Sequence, residues 1–438
     1  MTARARTARA GPAGANWAGN YAYRADRLHR PSSVEQLCEI VAAAPQIRVL
    51  GSRHSFSEIG DAAELVTLDD LPADIVVDHA ARTVSCSAAL RYGALAEALK
   101  PERLALRNLA SLPHISVAGA VATATHGSGD TNGNLATEVA ALELATSDGG
   151  LLRSARGDDD FDGLVVGLGA LGAMTRVTLD VEPAYEVRQR VFEDLRWDAL
   201  FEHFDAITAS GYSISVFNRL HDATADQVWI KSRVTGESER IRDELFGARP
   251  ATEERHPILG LDPVNCTPQL GRPGLWSDRL PTFRMGFTPS NGEEIQSEYL
   301  IPRDRAVPAI EAARALAGSI RPMLQVCEIR TMAADRLWLS PQYARDTIGI
   351  HFTWKREQQA VERVLADVET ALAPFAPRPH WGKLFLSRAA DIVPVYERLP
   401  DFIRLAERLD PRGAFRNRWL ENRVLGFDDA AESVLGVQ

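Results

Sequence analysis

One segment constrains the fold more than any other: SLPHISVAGAVATATHGSGDTNGN, Ser111 to Asn134. It is rich in Gly, Ser and Thr, and its first acidic side chain is Asp130. The run VAGAVATAT is too apolar for a solvated loop, and Gly119, Gly127, Gly129 and Gly133 weaken any long helix or strand. Small residues let a backbone come close to a ligand, and successive N–H groups can line an anion. No G-K-[ST] follows, so the segment is not a P-loop. A long surface loop is the alternative; the pattern favours a pyrophosphate cradle.

A second glycine motif tests that reading. GLGALG, Gly167 to Gly172, matches GxGxxG, but a dinucleotide fingerprint needs a strand before it and a helix after it. The residues that follow, AMTRVTLDVEP, alternate like a strand. A nicotinamide Rossmann site is disfavoured, and the glycines are expected to make a tight turn near another backbone or a ligand. A third turn, VLGSRHSFSEIGD, places Arg53 and His54 beside Gly51. Taken alone, His54 is compatible with a core histidine, a metal ligand or a base.

Bulk properties narrow the class. The 438 residues suffice for two or three domains. A net charge of −10 with no basic stripe argues against nucleic-acid binding. No apolar run reaches the roughly 18 residues of a membrane span. The N-terminus is basic and Ala-rich without an apolar core, so a disordered tail is expected over 1–15 rather than a secretory signal. Cys38, Cys86, Cys266 and Cys327 are widely spaced, which reads as reduced thiols in a cytoplasmic protein. Of 49 Lys and Arg residues only Lys100, Lys231, Lys355 and Lys383 are lysines. A lysine that survives such a bias can be needed as an ammonium, with chance the plain alternative.

The pattern along the chain predicts α+β architecture rather than a βαβ repeat. SSVEQLCEIVAAAP reads as a helix with a Ser32/Glu35 capping box. Short strands follow, then a hairpin across TSDGG and a strand that stops at Pro183. Beyond it, aromatic strands (YSISVFNRL, QVWIKSRV, EIQSEYLIP, QVCEIRTM, IGIHFTWK) mix with longer helices. The expected division is a tail over 1–15, a first domain over 16–183, a second over 184–404, and a return to the first over 405–438.

Two strands offer polar residues at a spacing of two: Glu328 with Arg330, and His351 with Thr353. Such a face could bind a polyhydroxylated ligand through charge-assisted hydrogen bonds, or be a solvated face with an ion pair. RPHWGKLF adds His380 and the scarce Lys383. The histidines lie in separate segments without HExxH or paired cysteines, so no metal site is expected. GxSxG is also absent.

With these segments in place, the chain resembles the vanillyl-alcohol-oxidase-type flavoproteins, and within them the alditol (xylitol) oxidases, near the aldonolactone oxidases. The resemblance runs from about Asn16 to Arg423 through GSRHSF, SLPHISVAG.VATATHGSG, GALG..TRVTL, EIRT, HFTW, HWGK and DPRGAFRN. It implies an FAD-binding domain of two α+β subdomains (PCMH-type) and a cap domain with a large antiparallel sheet flanked by helices. It implies FAD linked covalently to His54, wrapped by Val49, Leu50, Gly51, Ser52, Arg53, His54 and Ser55. Ser116, Gly119, Thr123, Ala124, Thr125 and His126 would hold its phosphates and ribityl chain, and Ser111 counts among the cofactor positions as well. Val177, Thr353 and His380 match further cofactor positions. Ser111, Glu328, Arg330 and Lys383 match the substrate set. His351 would be the catalytic base, and Lys383 would stabilise the alkoxide.

Many relatives carry glycine where this chain has Arg53. The implied reaction is oxidation of a polyol by O2 in a cytoplasmic monomer. The rivals are an aldonolactone oxidase, a dehydrogenase with another acceptor, or a non-catalytic flavin- or sugar-binding protein.

Overall fold

The computed structural model describes residues 12–220, 222–235, 244–288, 290 and 292–426. Of the tail expected over 1–15, residues 1–11 lie outside that set. Residues 12–15 are placed, with Ala13 buried and Ala15 bridged to Ala22. The first helix, Val34–Ala43, is capped by Ser33, whose side chain accepts the Gln36 N–H. The cap is thus one residue later than the sequence reading placed it. Gln36 Oε1 instead accepts the Ser32 N–H at 2.8 Å.

Two larger sheets occupy the N-terminal half, beside a two-stranded pairing of Leu104–Ala105 with Glu182–Pro183. Arg27–His29, Glu64–Val66 and Ile47–Val49 form a parallel sheet, with Glu64–Val66 in the middle. A five-stranded antiparallel sheet runs in the order Ile75–Asp78, Thr83–Ser87, Ala173–Asp180, Val139–Ala145, Leu151–Ala155. GLGALG leads directly into its central strand, so the Rossmann reading is excluded by the strand that follows it.

The second half builds a nine-stranded sheet. Its centre is antiparallel, in the order Glu186–Arg196, Thr224–Arg233, Ser213–Asn218, Leu324–Met332, Thr347–Lys355, Glu294–Pro302. Alternation explains its two faces. In Thr347–Lys355, Ile348, Ile350, Phe352 and Trp354 are buried in the hydrophobic core. Helices Ala306–Ala315 and Gln358–Leu372 pack on that side, the latter through Val361, Leu365, Val368 and Leu372 at helical spacing. Gly349, His351 and Thr353 face the other way.

Residues 410–417 hydrogen-bond into the N-terminal half. Ile47 N–H donates to Ala414 O at 2.7 Å, and the Asn417 amide donates to Glu58, Ile59 and Asp61 carbonyls. Buried Arg48 donates to the carbonyls of Phe415, Ile59, Leu168 and Gly169. One guanidinium thereby ties the first parallel strand to the GLGALG turn and to the C-terminal segment.

Candidate active site

A cavity of 540 Å³ lies between the glycine-rich loops and the polar face of the large sheet. Val49 to Ser55, Ser111, Ser116, Gly119, Thr123, Thr125, His126, Glu328, Arg330, His351, Thr353, His380 and Lys383 all line it. Ala124 and Val177 do not line it. Val177 lies inside its sheet, fully buried between Cys86 and Leu142. The turn just before that strand reaches the cavity instead, through Gly167 to Gly169 and Leu171 to Met174, excluding Ala173.

The loop wall is built from small residues and backbone. The Ser52 hydroxyl accepts the Ser116 N–H at 3.0 Å, and the Ser116 hydroxyl accepts the Ser52 N–H at 3.4 Å. This pair stitches GSRHSF to the glycine-rich segment. A Cβ at Gly51 would stand 2.7 Å from Ser116 Oγ, and one at Gly119 would stand 2.8 Å from it. Glycine at both positions lets the two backbone segments close around that hydroxyl. Arg53 sits at φ 62, in the left-handed region that glycine adopts freely.

His54 stacks on Trp17 with ring centroids 5.4 Å apart. Both of its nitrogens are buried without a hydrogen-bonding partner. Desolvation lowers its pKa to about 4, so the ring is neutral at physiological pH. A buried imidazole with two idle nitrogens at the cavity wall is unusual for a packing residue.

The opposite wall is charged. Across the ladder Glu328, His351 and Glu298 stand in register on neighbouring strands. Glu298 is buried and takes two cations: Arg330 Nη2 at 2.8 Å and Lys383 Nζ at 2.7 Å. Burial would raise its carboxyl, but Arg330 and Lys383 outweigh that and hold it well below the usual range. Gly349, paired with both Arg330 and Leu300, makes room for this carboxylate. A Cβ there would lie 2.6 Å from Glu298 Oε1.

Glu328 is also ionised. Burial opposes the charge, but Arg330 and His351 bring its pKa down to about 2. His351, desolvated and beside Lys383, is lowered to about 4 and is neutral. Its Nδ1 is 3.5 Å from Glu328 Oε2, and neither Nδ1 nor Glu328 Oε1 has a hydrogen-bonding partner. Lys383 is lowered by desolvation, against the pull of Glu298.

Ser111 is held by the segment that closes over the cavity. Its carbonyl accepts the Thr282 and Phe283 N–H groups, and its hydroxyl accepts from Thr282 Oγ1 at 3.2 Å.

His126, Glu298 and His380 offer atoms within 4.8 Å of one another. His380 Nδ1 already accepts the Gly382 N–H, so its neutral ring carries its proton on Nε2 and has no lone pair to spare. Glu298 is committed to two cations. The group is an ion-pair cluster rather than a ligand set.

The sequence reading did not single out Glu298, Gln296 or Glu294. Their signal was present in EIQSEYLIP: polar residues at every second position of a strand whose other positions are buried as well. The same reading singled out scarce lysines. Lys231 and Lys383 have buried ammonium groups, while Lys100 and Lys355 sit on exposed bonds.

Residues 25–155 match the family model of an FAD binding domain, and residues 288–423 match that of D-arabinono-1,4-lactone oxidase. Alditol oxidase of Streptomyces sp. is 47% identical over 415 residues, which covers 94% of this chain and 99% of that protein. L-gulono-1,4-lactone dehydrogenase of Mycobacterium tuberculosis is 28% identical over 437 residues, covering 95% of this chain and 99% of its own. Among solved structures, cholesterol oxidase from B. sterolicum superposes with a TM-score of 0.74 at 14% identity, over 93% of this chain and 96% of that one. That last likeness speaks to the fold: α+β, with an FAD-binding PCMH-type domain and a large antiparallel sheet.

Proposed function

The chain belongs to the FAD-linked alditol oxidases, and from that premise we propose that it oxidises the terminal primary alcohol of alditols such as xylitol and sorbitol to the aldose, with O2 reduced to hydrogen peroxide. One observation carries the substrate class. A buried imidazole nitrogen, His351 Nδ1, lies 3.5 Å from the buried Glu328 carboxylate, beside the cations Arg330 and Lys383. A ligand that satisfies this wall must bring several hydroxyl donors that can also accept, which describes a polyol.

The loop wall fits FAD: a small-residue cradle, backbone close to the ligand, and a buried imidazole with both nitrogens idle. When bound, FAD supplies the hydride acceptor. Val49 to Ser55, Ser116, Gly119 and Thr123 to His126 would hold it, with Val177 behind them and Thr353 and His380 on the far side. His54 is the proposed covalent anchor.

The chain's own residues supply the rest. An alcohol gives up hydride readily once its O–H proton is leaving, and neutral His351 is placed to take that proton. The Lys383 ammonium stabilises the oxygen as negative charge builds on it. Arg330 donates to neighbouring hydroxyls, and Glu328 and Ser111 accept from them. Glu298 keeps both cations charged and aimed. The division at 183/184 and a C-terminal return belong to the same reading; the bonds of residues 410–417 to the N-terminal half support the return, while helix Leu399–Leu409 runs across the expected break at 404/405. A cytoplasmic location, supported by four unpaired cysteines, and a monomeric enzyme belong to that reading as well. Among the described residues, no helix is long and apolar enough to cross a membrane.

The deciding measurement is the visible spectrum of purified protein before and after anaerobic xylitol. Bleaching of the flavin bands is expected; an unchanged spectrum with xylitol and sorbitol, together with bleaching by a gulonolactone, would move the reading to lactone oxidation. Persistent oxygen consumption distinguishes an oxidase from a dehydrogenase. Acid precipitation should leave the yellow colour on the wild-type chain and release it from His54→Ala. Full release from wild type would refute the tether.

A further inference from the structure

Glu294, Gln296 and Glu298 alternate along one strand, and Gln296 stands diagonally across the ladder from His351. The Gln296 amide lies between two groups. Its Nε2 is 2.6 Å from Glu294 Oε1, and its Oε1 is 3.2 Å from His351 Nε2. Glu294 and Gln296 are both buried. Ionised, the Glu294 carboxylate can only accept, and the amide nitrogen of Gln296 points to it, so in that state Glu294 holds the NH2 end of the amide toward itself. That turns the carbonyl end toward the imidazole. A carbonyl also can only accept, so the ring must donate from Nε2. A neutral imidazole carries one ring proton; with it on Nε2, Nδ1 is left as a lone pair. Nδ1 is the nitrogen that is buried without a partner and faces the Glu328 carboxylate at 3.5 Å.

We propose that Glu294, acting through Gln296, is a positioning residue that sets the tautomer of His351, so that Nδ1 is the atom that accepts the alcohol proton. The opposite tautomer would put N–H on Nδ1, satisfy it on Glu328, and leave the only lone pair aimed at Gln296. A ring in that state could not serve as the base on the Glu328 side. In the proposed state the alcohol O–H bond breaks, its proton passes to Nδ1 and its electron pair stays on oxygen. The new imidazolium then has carboxylate on both flanks, Glu328 and Glu298, with Lys383 and Arg330 beyond them. The proposal rests on His351 being the base, but its primary readout does not depend on turnover.

The test is two-bond 1H–15N NMR of the oxidised holoenzyme labelled at histidine ring nitrogens, with the His351 signals identified by their loss in His351→Ala. Wild type should show Nε2 protonated and Nδ1 bare. Glu294→Gln keeps the size and removes the obligate acceptor, so the Gln296 amide can turn and both tautomers should appear. Gln296→Met, which removes the relay altogether, should do the same. In Glu294→Gln the rate of flavin reduction by saturating xylitol should fall about tenfold, the usual scale for loss of an orienting partner, while xylitol affinity is retained. A wild-type His351 protonated on Nδ1 would overturn the proposal. So would a Glu294→Gln enzyme with an unchanged tautomer and an unchanged rate. If wild type shows the Nε2–H form but no polyol bleaches the flavin, the substrate reading fails and the tautomer relay stands.

Discussion

The two walls of the cavity are made by opposite means. The loop wall uses glycine, serine and backbone, and its two loops are joined by a reciprocal pair of neutral hydrogen bonds between Ser52 and Ser116. The sheet wall uses two carboxylates, a guanidinium and an ammonium, all desolvated. The first arrangement suits a large cofactor held by shape and many N–H groups. The second suits a small, flexible, hydroxylated substrate that must be oriented by charge. Damage to the first should appear in cofactor content, and damage to the second in stability or rate.

Glu298→Ala should produce the largest effect. It leaves Lys383 without its carboxylate and Arg330 with Glu328 alone at 3.6 Å, and breaking a buried pair from one side costs about 3–5 kcal/mol. Denaturant unfolding of the holoenzyme measures it. The same experiment on Ser116→Ala, in the neutral wall, should show about 1 kcal/mol. Equal losses in the two variants would erase the contrast between the walls.

His351→Ala and Lys383→Ala should come next. Each is expected to slow flavin reduction at least about a hundredfold while FAD content stays normal. Stopped-flow reduction at near wild-type speed would remove both residues from the chemistry. The pH dependence has a defined sign. The neutral ring is the competent form and the His351 pKa is about 4, so the reduction rate should be level above that value and fall as pH drops through it.

Gly119→Ala should damage the other wall. Its Cβ would press on Ser116 Oγ from 2.8 Å, and overpacking of this kind typically costs about 1–3 kcal/mol. Flavin incorporation per chain should drop by roughly tenfold on that scale, with the rate per bound flavin unchanged. A slowed rate at full flavin content would show that the cradle also governs the reaction geometry.

The two walls differed equally in how far the sequence revealed them. The cradle could be read because its composition is local: glycines and hydroxyls within one run. The strands of the sheet could also be read where β-branched and aromatic residues alternate, as in IGIHFTWK. Glu186–Arg196, the longest strand, was missed because Glu186, Arg188 and Arg190 give it the texture of a solvated segment. Helix Leu399–Leu409 was missed as well, and it crosses the division expected at 404/405. Glu298 could not be weighed, since its partners lie 32 and 85 residues away. Nothing local distinguishes a carboxylate that neutralises two buried cations from one that faces water. Val177 shows the converse: the turn at Gly167–Gly172 meets the cavity, and the strand interior that holds Val177 does not.

Arg53 is where the two designs meet, a cation placed within the neutral wall. At φ 62 it holds a conformation that costs an L-residue about 1–2 kcal/mol. Glycine would remove that strain, but it would add about 0.5–1 kcal/mol of chain entropy to the unfolded state. Arg53→Gly should therefore change the stability of the flavin-free protein by about 0–1.5 kcal/mol, in the stabilising direction. Flavin incorporation separates the two accounts of the side chain. A guanidinium that lines the cavity only because the turn sends it there can be lost without effect on incorporation. One that neutralises phosphate in the cradle cannot, and its loss should slow incorporation and steepen no salt dependence: raising ionic strength should slow wild type toward the variant and leave the variant unmoved. The smallest stability change in this set thus decides whether the loop wall works by shape alone.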